Sequence, residues 1–197
     1  FFLARTLAVL FFKNRLNNAE IQSRLQRALV MNAVPYLVFF LAFVFWTLFA
    51  NGFAVKPGTN EVVLEPMKYM NNLIEMPVLL LLFLIGVVLV LYGIIKSYLN
   101  DSWRKGIWFA GAGTIITVTT LFLVAGYNNT AFYPSTVDLQ SSLTIFNSSS
   151  SFFTLKIMSV VSLLIPFIAA YIFFSWRALE KTHTSIEEIN EKDSHAY

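Results

Sequence analysis

Four runs of about twenty residues, roughly 29–50, 76–95, 106–127 and 157–176, contain no Asp, Glu, His, Cys, Lys or Arg. A helix rises about 1.5 Å per residue, so each run can cross a hydrocarbon core of roughly 30 Å. The expected fold is all-α, a polytopic transmembrane helix bundle with four complete spans. Intramembrane chemistry usually shows itself as an ionisable residue or metal ligand at depth. These four runs carry none, and both histidines, His183 and His195, lie beyond the last of them. The chain reads as the companion of a reaction centre.

Composition supports one membrane domain, residues 1–197. Of these residues 57% are hydrophobic and 13% charged, and the connections are too short to fold alone. Cysteine is absent, which excludes disulfides, thiolate zinc, iron–sulfur clusters and a cysteine nucleophile. A net charge of +3 raises the question of nucleic acid. The basic residues sit at helix ends, however, which is the signature of membrane orientation, and no nucleic-acid partner is expected. Residues 1–12 (FFLARTLAVLFF) are apolar but too short to span. Without a basic start or a small-residue cleavage site they do not read as a signal peptide. They read as the end of a preceding helix, whose beginning lies outside the sequence.

The connections alternate in charge. Residues 14–28 hold Arg15, Arg24 and Arg27, with Lys13 just before them, and residues 96–105 hold Lys96, Arg104 and Lys105. Residues 51–75 hold only Lys56 and Lys68, and residues 128–156 end on their single basic residue, Lys156. The polar tail, 177–197, carries Arg177, Lys181 and Lys192. Lys and Arg are retained on the cytoplasmic side. The first and third connections and the C-terminus are therefore expected in the cytoplasm, with the two long connections outside. Leu16, Ala19 and Leu25 share one helical face, so a short surface helix is expected within 14–28. The hydroxyl-rich stretch 141–151 could be a flexible linker. Leu143, Ile145, Phe146, Phe152 and Phe153 interleave it, which favours an ordered outer cap.

Within the spans, Gly86 and Gly93 share a face, and Gly111, Gly113, Thr114, Thr117, Thr119 and Thr120 crowd the third run. Small residues let membrane helices approach, and a threonine hydroxyl can bond the carbonyl one turn back. A helix seam is favoured over a polar pathway because no acid or histidine accompanies the threonines. Pro166 removes a backbone bond in mid-span and crowds the carbonyl of Ser162, so a kink is expected there. Pro35 and Pro77 are expected near helix starts. Glu75, just before Pro77, favours the positive end of the following helix or else exchanges protons with a quinol head group. Met31 and Met158 could ligate haem iron, but membrane methionines mostly pack. No ligand pair at helical spacing accompanies them, so no catalytic residue and no metal site is expected on this chain.

A set of short motifs is more specific. Ala125-Gly126 closes the third run, followed by Phe132-Tyr133-Pro134-Ser135 and Ser142-Leu143-Thr144. Asn147-Ser148-Ser149-Ser150-Ser151 and Thr154-Leu155 lead to Met158 and to Ile165-Pro166. This order and spacing resemble subunit II of the cytochrome bd family of quinol oxidases, as does the chain end, Ser194-His195-Ala196-Tyr197. Glu75-Met76-Pro77 and the charge topology agree with that family, and the resemblance covers essentially the whole chain as the C-terminal half of the subunit. One departure is Tyr127-Asn128-Asn129-Thr130, where many members carry a Phe-Pro pair.

The resemblance implies a structural role for Pro134, Ser135, Ser142, Leu143, Thr144, Asn147, Thr154, Leu155 and Met158. It implies a heterodimeric oxidase of the bacterial inner membrane that oxidises quinol from the quinone pool outside and reduces oxygen to water. Haem b and haem d would sit in the partner, subunit I, and this chain would bind none directly, although some members hold a structural quinone here. Half of a membrane transporter, or a membrane scaffold or assembly factor, are the alternative readings. A transporter usually shows matched broken helices or a buried charge near the midplane, and neither is evident in the four runs.

Overall fold

The apolar runs become helices for the reason that selected them: with no water to bond the backbone, the α-helix satisfies it internally. The computed structural model describes residues 1–16 and 18–180. Among these, four helical stretches are long and apolar enough to span a membrane: Glu20–Phe49, Pro77–Leu99, Gly106–Gly126 and Phe152–Ala178. The chain divides into two compact units, one ending at Ser148 and the other beginning at Ser149. His183, His195 and the rest of 181–197 lie outside the described residues, so the expected cytoplasmic tail is not described beyond Glu180.

The first unit opens with α1 (Phe2–Arg15) and α2 (Ala19–Phe49). Asn18 caps α2, its Oδ1 accepting from the backbone N–H of Glu20 at 2.9 Å and of Ile21 at 3.3 Å. The expected short surface helix is not a separate element. Nothing between Ala19 and Val34 breaks helical geometry, so the polar turns run directly into the apolar ones as one helix of 31 residues. In consequence Pro35 is interior to α2, not near its start. A hairpin of β1 (Gly52–Val55) and β2 (Val62–Glu65) follows, then the short α3 (Lys68–Glu75) and α4 (Pro77–Leu99), which has Pro77 in its first turn. Next come α5 (Gly106–Gly126), β3 (Ala131–Tyr133), a 3-10 turn (Leu139–Ser141), β4 (Leu143–Thr144) and α6 (Ile145–Ser148).

The closest approach in this unit is between α4 and α5. A Cβ built on Gly86 would lie 2.5 Å from Thr117 Oγ1, and one on Gly93 would lie 2.8 Å from both Ala110 N and Gly106 O. A Cβ on Gly113 would meet Gly86 O at 2.6 Å. Glycines two turns apart on one helix thus face glycines two turns apart on the other, an antiparallel small-residue seam. Thr117 is buried in it, and its hydroxyl bonds Gly113 O at 2.8 Å, one turn back. Beside the seam, Val9 and Leu10 of α1, Leu29 and Ala33 of α2, Val90 and Ile94 of α4 and Ala110 of α5 form the buried core.

The second unit contains α7 (Phe152–Ser162) and α8 (Ile165–Glu180). Ser151 caps α7, its Oγ accepting from the N–H of Thr154 at 3.4 Å. Helical geometry lapses at Leu163 and Leu164. Pro166 is the second residue of α8, a position where the missing N–H is tolerated, so the break takes the place of the expected kink.

Substituting Gly93→Leu is expected to push α4 and α5 apart at a cost of about 3 kcal/mol. The measurement is the thermal unfolding midpoint of the detergent-solubilised protein, which should fall. Gly111→Ala, where a Cβ meets nothing within 4 Å, should not lower it.

Candidate functional site

Two ends of the first unit carry its polar chemistry. At the basic end, Lys13 is 2% exposed, and its Nζ donates to Ser97 O at 2.7 Å and to Asp101 Oδ1 at 3.3 Å. Ser97 lies in the last turn of α4, whose free carbonyls and negative dipole end both favour a cation. Gln22 Nε2 donates to Lys13 O at 3.3 Å and Leu16 O at 2.6 Å, and Gln26 Nε2 donates to Tyr98 O at 2.8 Å. Lys96 Nζ rests 4.9 Å from the centre of the Trp103 ring and donates to Tyr92 Oη at 2.6 Å. Aromatic and basic side chains meeting in this way are typical of a membrane–water boundary.

The opposite end is a cap of two hairpins. β1 and β2 pair antiparallel from Gly52↔Glu65 to Val55↔Val62. β3 and β4 pair through Ala131↔Thr144 and Tyr133↔Leu143 across a bulge. A bridge at Ala54↔Thr130 and a bond from Val55 N to Asn129 O at 2.7 Å join them. Gln140 adds what is in effect a side-chain ladder, accepting from Val62 N at 3.0 Å and donating to Val62 O at 3.1 Å. Asn128 and Asn129 both adopt positive φ, +57° and +52°, which asparagine tolerates better than most residues.

Asn72 fastens the cap to the helices. It is fully buried, and its Nδ2 donates to Val124 O at 2.9 Å and to Thr130 Oγ1 at 2.8 Å. Its Oδ1 accepts from Asn128 Nδ2 at 3.1 Å, and the same Asn128 amide also donates to Glu75 Oε2. Glu75 therefore engages the cap, in addition to standing before the first turn of α4.

The motif residues of the first unit come together. Ser142 is fully buried, and its Oγ accepts from Ser135 N at 3.0 Å. Asn147 Oδ1 accepts from Thr144 N at 2.7 Å, while its Nδ2 donates to Ser142 O at 2.9 Å. Pro134 is half-buried beside this knot in sequence, and Leu143 is 41% exposed. The hydroxyl-rich stretch up to Ser148 is thus an ordered cap, but Leu143, Ile145 and Phe146 stay exposed on it within this unit. Thr154, Leu155 and Met158 belong to α7 in the second unit, where Thr154 Oγ1 lies 3.0 Å from Ser151 Oγ.

Beneath the cap, α2, α3, α4 and α5 enclose an open cavity of about 330 Å³. Phe43, Leu48, Phe83, Val118 and Phe122 are among its walls, with the hydroxyl-bearing Thr47 and Tyr69 among them. Burial pushes the Tyr69 hydroxyl up from its ordinary pKa, and a hydrogen bond with the Phe53 backbone pulls it the other way.

Among the described residues no group of three or more His, Cys, Asp or Glu gathers to hold a metal. Arg5 and Asn72 lie outside the four apolar runs, and Lys13 reads from sequence only as a basic residue at a helix end. A signal existed for the first, an arginine set within the apolar run 1–12. Nothing in the sequence marked Asn72 as a cap, because its partners are 52 and 58 residues away.

Asn72→Ala would leave Val124 O and Thr130 Oγ1 without their shared donor, at an expected cost of about 2 kcal/mol. Amide hydrogen exchange should accelerate at residues 128–131 and stay unchanged in the middle of α4.

No curated protein matches this chain. A family model does, over residues 1–179, and its description is cytochrome bd terminal oxidase subunit II.

Proposed function

The chain belongs to the cytochrome bd terminal oxidase subunit II family, and on that premise we propose that it is a non-haem structural subunit of a quinol:oxygen oxidoreductase. In this reading it lies in a bacterial inner membrane and packs against subunit I, the haem-bearing partner. The match over residues 1–179 carries the reading. The charge pattern supports an orientation in which Arg15, Arg24, Arg27, Arg104 and Lys105 would hold the basic end in the cytoplasm, with the hairpin cap outside.

Haem, bound in the partner, would supply electron transfer from quinol and the reduction of oxygen. The apolar spans of this chain offer an iron no histidine or cysteine. Their part is to pack against the partner, exclude water from the haem surroundings, and so hold ligands and potentials in place. A structural quinone would fit the cavity under the cap. Its volume is in the range of small-molecule sites, and its almost wholly apolar walls suit an isoprenoid tail.

The test is a reduced-minus-oxidised spectrum of the complex captured through a tag on Tyr197. A haem d signal carried by a co-purifying larger subunit is expected. Leu143 and Phe146 are exposed on the cap, 41% and 74%, so Leu143→Asp with Phe146→Asp spares the core of this chain. The pair is expected to halve the recovered haem or worse, and unchanged haem content with unchanged oxygen uptake would remove the cap from the interface.

A further inference from the structure

The basic end of the α4–α5 pair lies at a membrane boundary, because both helices are long enough to span and residues 100–105 alone join them. Lys96 stands there, in the last turn of α4. A lysine at a boundary normally extends its ammonium toward water. Lys96 instead bends back one turn. Its Nζ donates to Tyr92 Oη at 2.6 Å and lies 5.0 Å from the centre of the Tyr92 ring and 4.9 Å from that of Trp103. Phe109 closes the cradle, its ring centre 5.1 Å from that of Tyr92 and 5.6 Å from that of Trp103. The ammonium is thus fixed within an aromatic belt, the level at which lipid head groups lie.

Charge at this end does not balance. Residues 13–28 and 96–105 hold seven cations and two acids. Both acids are engaged, Glu20 with Arg24 at 2.6 Å and Asp101 with Lys13 at 3.3 Å. Among the described residues Lys96 has no ion-pair partner, and Arg27 and Lys105 are exposed at the same end. Toward the midplane, Val88 and Leu84 continue the face of α4 that bears Lys96 and Tyr92, one turn apart, and they are 61% and 51% exposed. That face lies opposite Val90 and Ile94, which pack in the core with α1 and α2. Cation, rings and bare apolar stripe follow one another in the order of a phospholipid's head group and tail. A carboxylate would answer the cation alone. A phospholipid answers the cation and the stripe, and the bilayer brings its phosphate to this level without a further protein element.

We propose that Lys96, held by Tyr92, Trp103 and Phe109, binds the phosphate of an anionic phospholipid whose tail lies along Val88 and Leu84. The N–H groups that Tyr92 leaves on the ammonium donate to the phosphate oxygens. The surplus of positive charge around them selects an anionic head group over a zwitterionic one.

The experiment uses the full-length complex in detergent, titrated with phosphatidylglycerol or with phosphatidylcholine. Phosphatidylglycerol is expected to raise the thermal unfolding midpoint and to remain bound in native mass spectrometry, and phosphatidylcholine at the same concentration to do neither. Lys96→Gln is expected to lower the bound phosphatidylglycerol about fivefold, the weight of one lysine at an anionic surface, and Lys96→Arg to keep at least half. A photo-crosslinking amino acid in place of Val88, with the complex in phosphatidylglycerol vesicles, is expected to give adducts with lipid. Equal responses to the two lipids, wild-type retention by Lys96→Gln, or the same rise with inorganic phosphate would each overturn the proposal. Adducts confined to protein, whether another part of this chain or a partner, would overturn it as well.

Discussion

The bundle depends on how closely α4 and α5 approach. Where Gly86 meets Gly113 and Thr117, and where Gly93 meets Gly106 and Ala110, the helices come so near that a Cβ on either glycine would clash with the facing backbone. In lipid there is little hydrophobic drive for one apolar helix to leave the tails for another, so close van der Waals contact has to hold them. The seam also fixes the ends of both helices. Because Gly93 lies on Gly106, Ser97 is placed within reach of Lys13. At the far end of the same pair, Val124 is placed beneath Asn72.

Helix ends are where a membrane bundle is short of hydrogen bonds, since the last four carbonyls of each helix have no partner within it. Here they are served from elsewhere in the fold. Lys13 takes Ser97 O, Gln26 takes Tyr98 O, Gln22 takes Lys13 O and Leu16 O, and Asn72 takes Val124 O. Each of these bonds ends a helix and ties it to another element. Such bonds explain how loops as polar as 51–75 and 128–148 become an ordered cap without a large core of their own. The cap's apolar centre is small, chiefly Val55, Val62 and Ala131, and its order comes from side-chain amides that imitate backbone, Gln140 on Val62 and Asn147 on Thr144.

The sequence made the four spans plain because twenty uncharged apolar residues have few other uses. It made the seam plain too, since glycine and threonine at helical spacing have a short list of roles. Helix limits were harder to see. Residues 19–28 are polar, so they read as a surface element, yet polarity does not stop a helix and only a cap at Asn18 does. The strands were invisible because two to four residues carry no periodicity, and their pairing is set by contacts across the chain, such as Ala54 with Thr130. Leu143 and Phe146 were legible as apolar but not as exposed, for a sequence shows which side chains avoid water and not which chain covers them.

Of the three cations of α1, Lys13 and Arg5 stand in contrast. Lys13 is buried and its charge is met within this chain, by a helix end and by Asp101. Arg5 sits two turns farther in, on the other face, over an aromatic ring that answers only a small part of its charge. By insertion scales an arginine at mid-membrane costs about 3 kcal/mol, comparable to a good fraction of a domain's whole stability. The glycine seam or the cap cannot offset it, because neither lies near α1's exposed face.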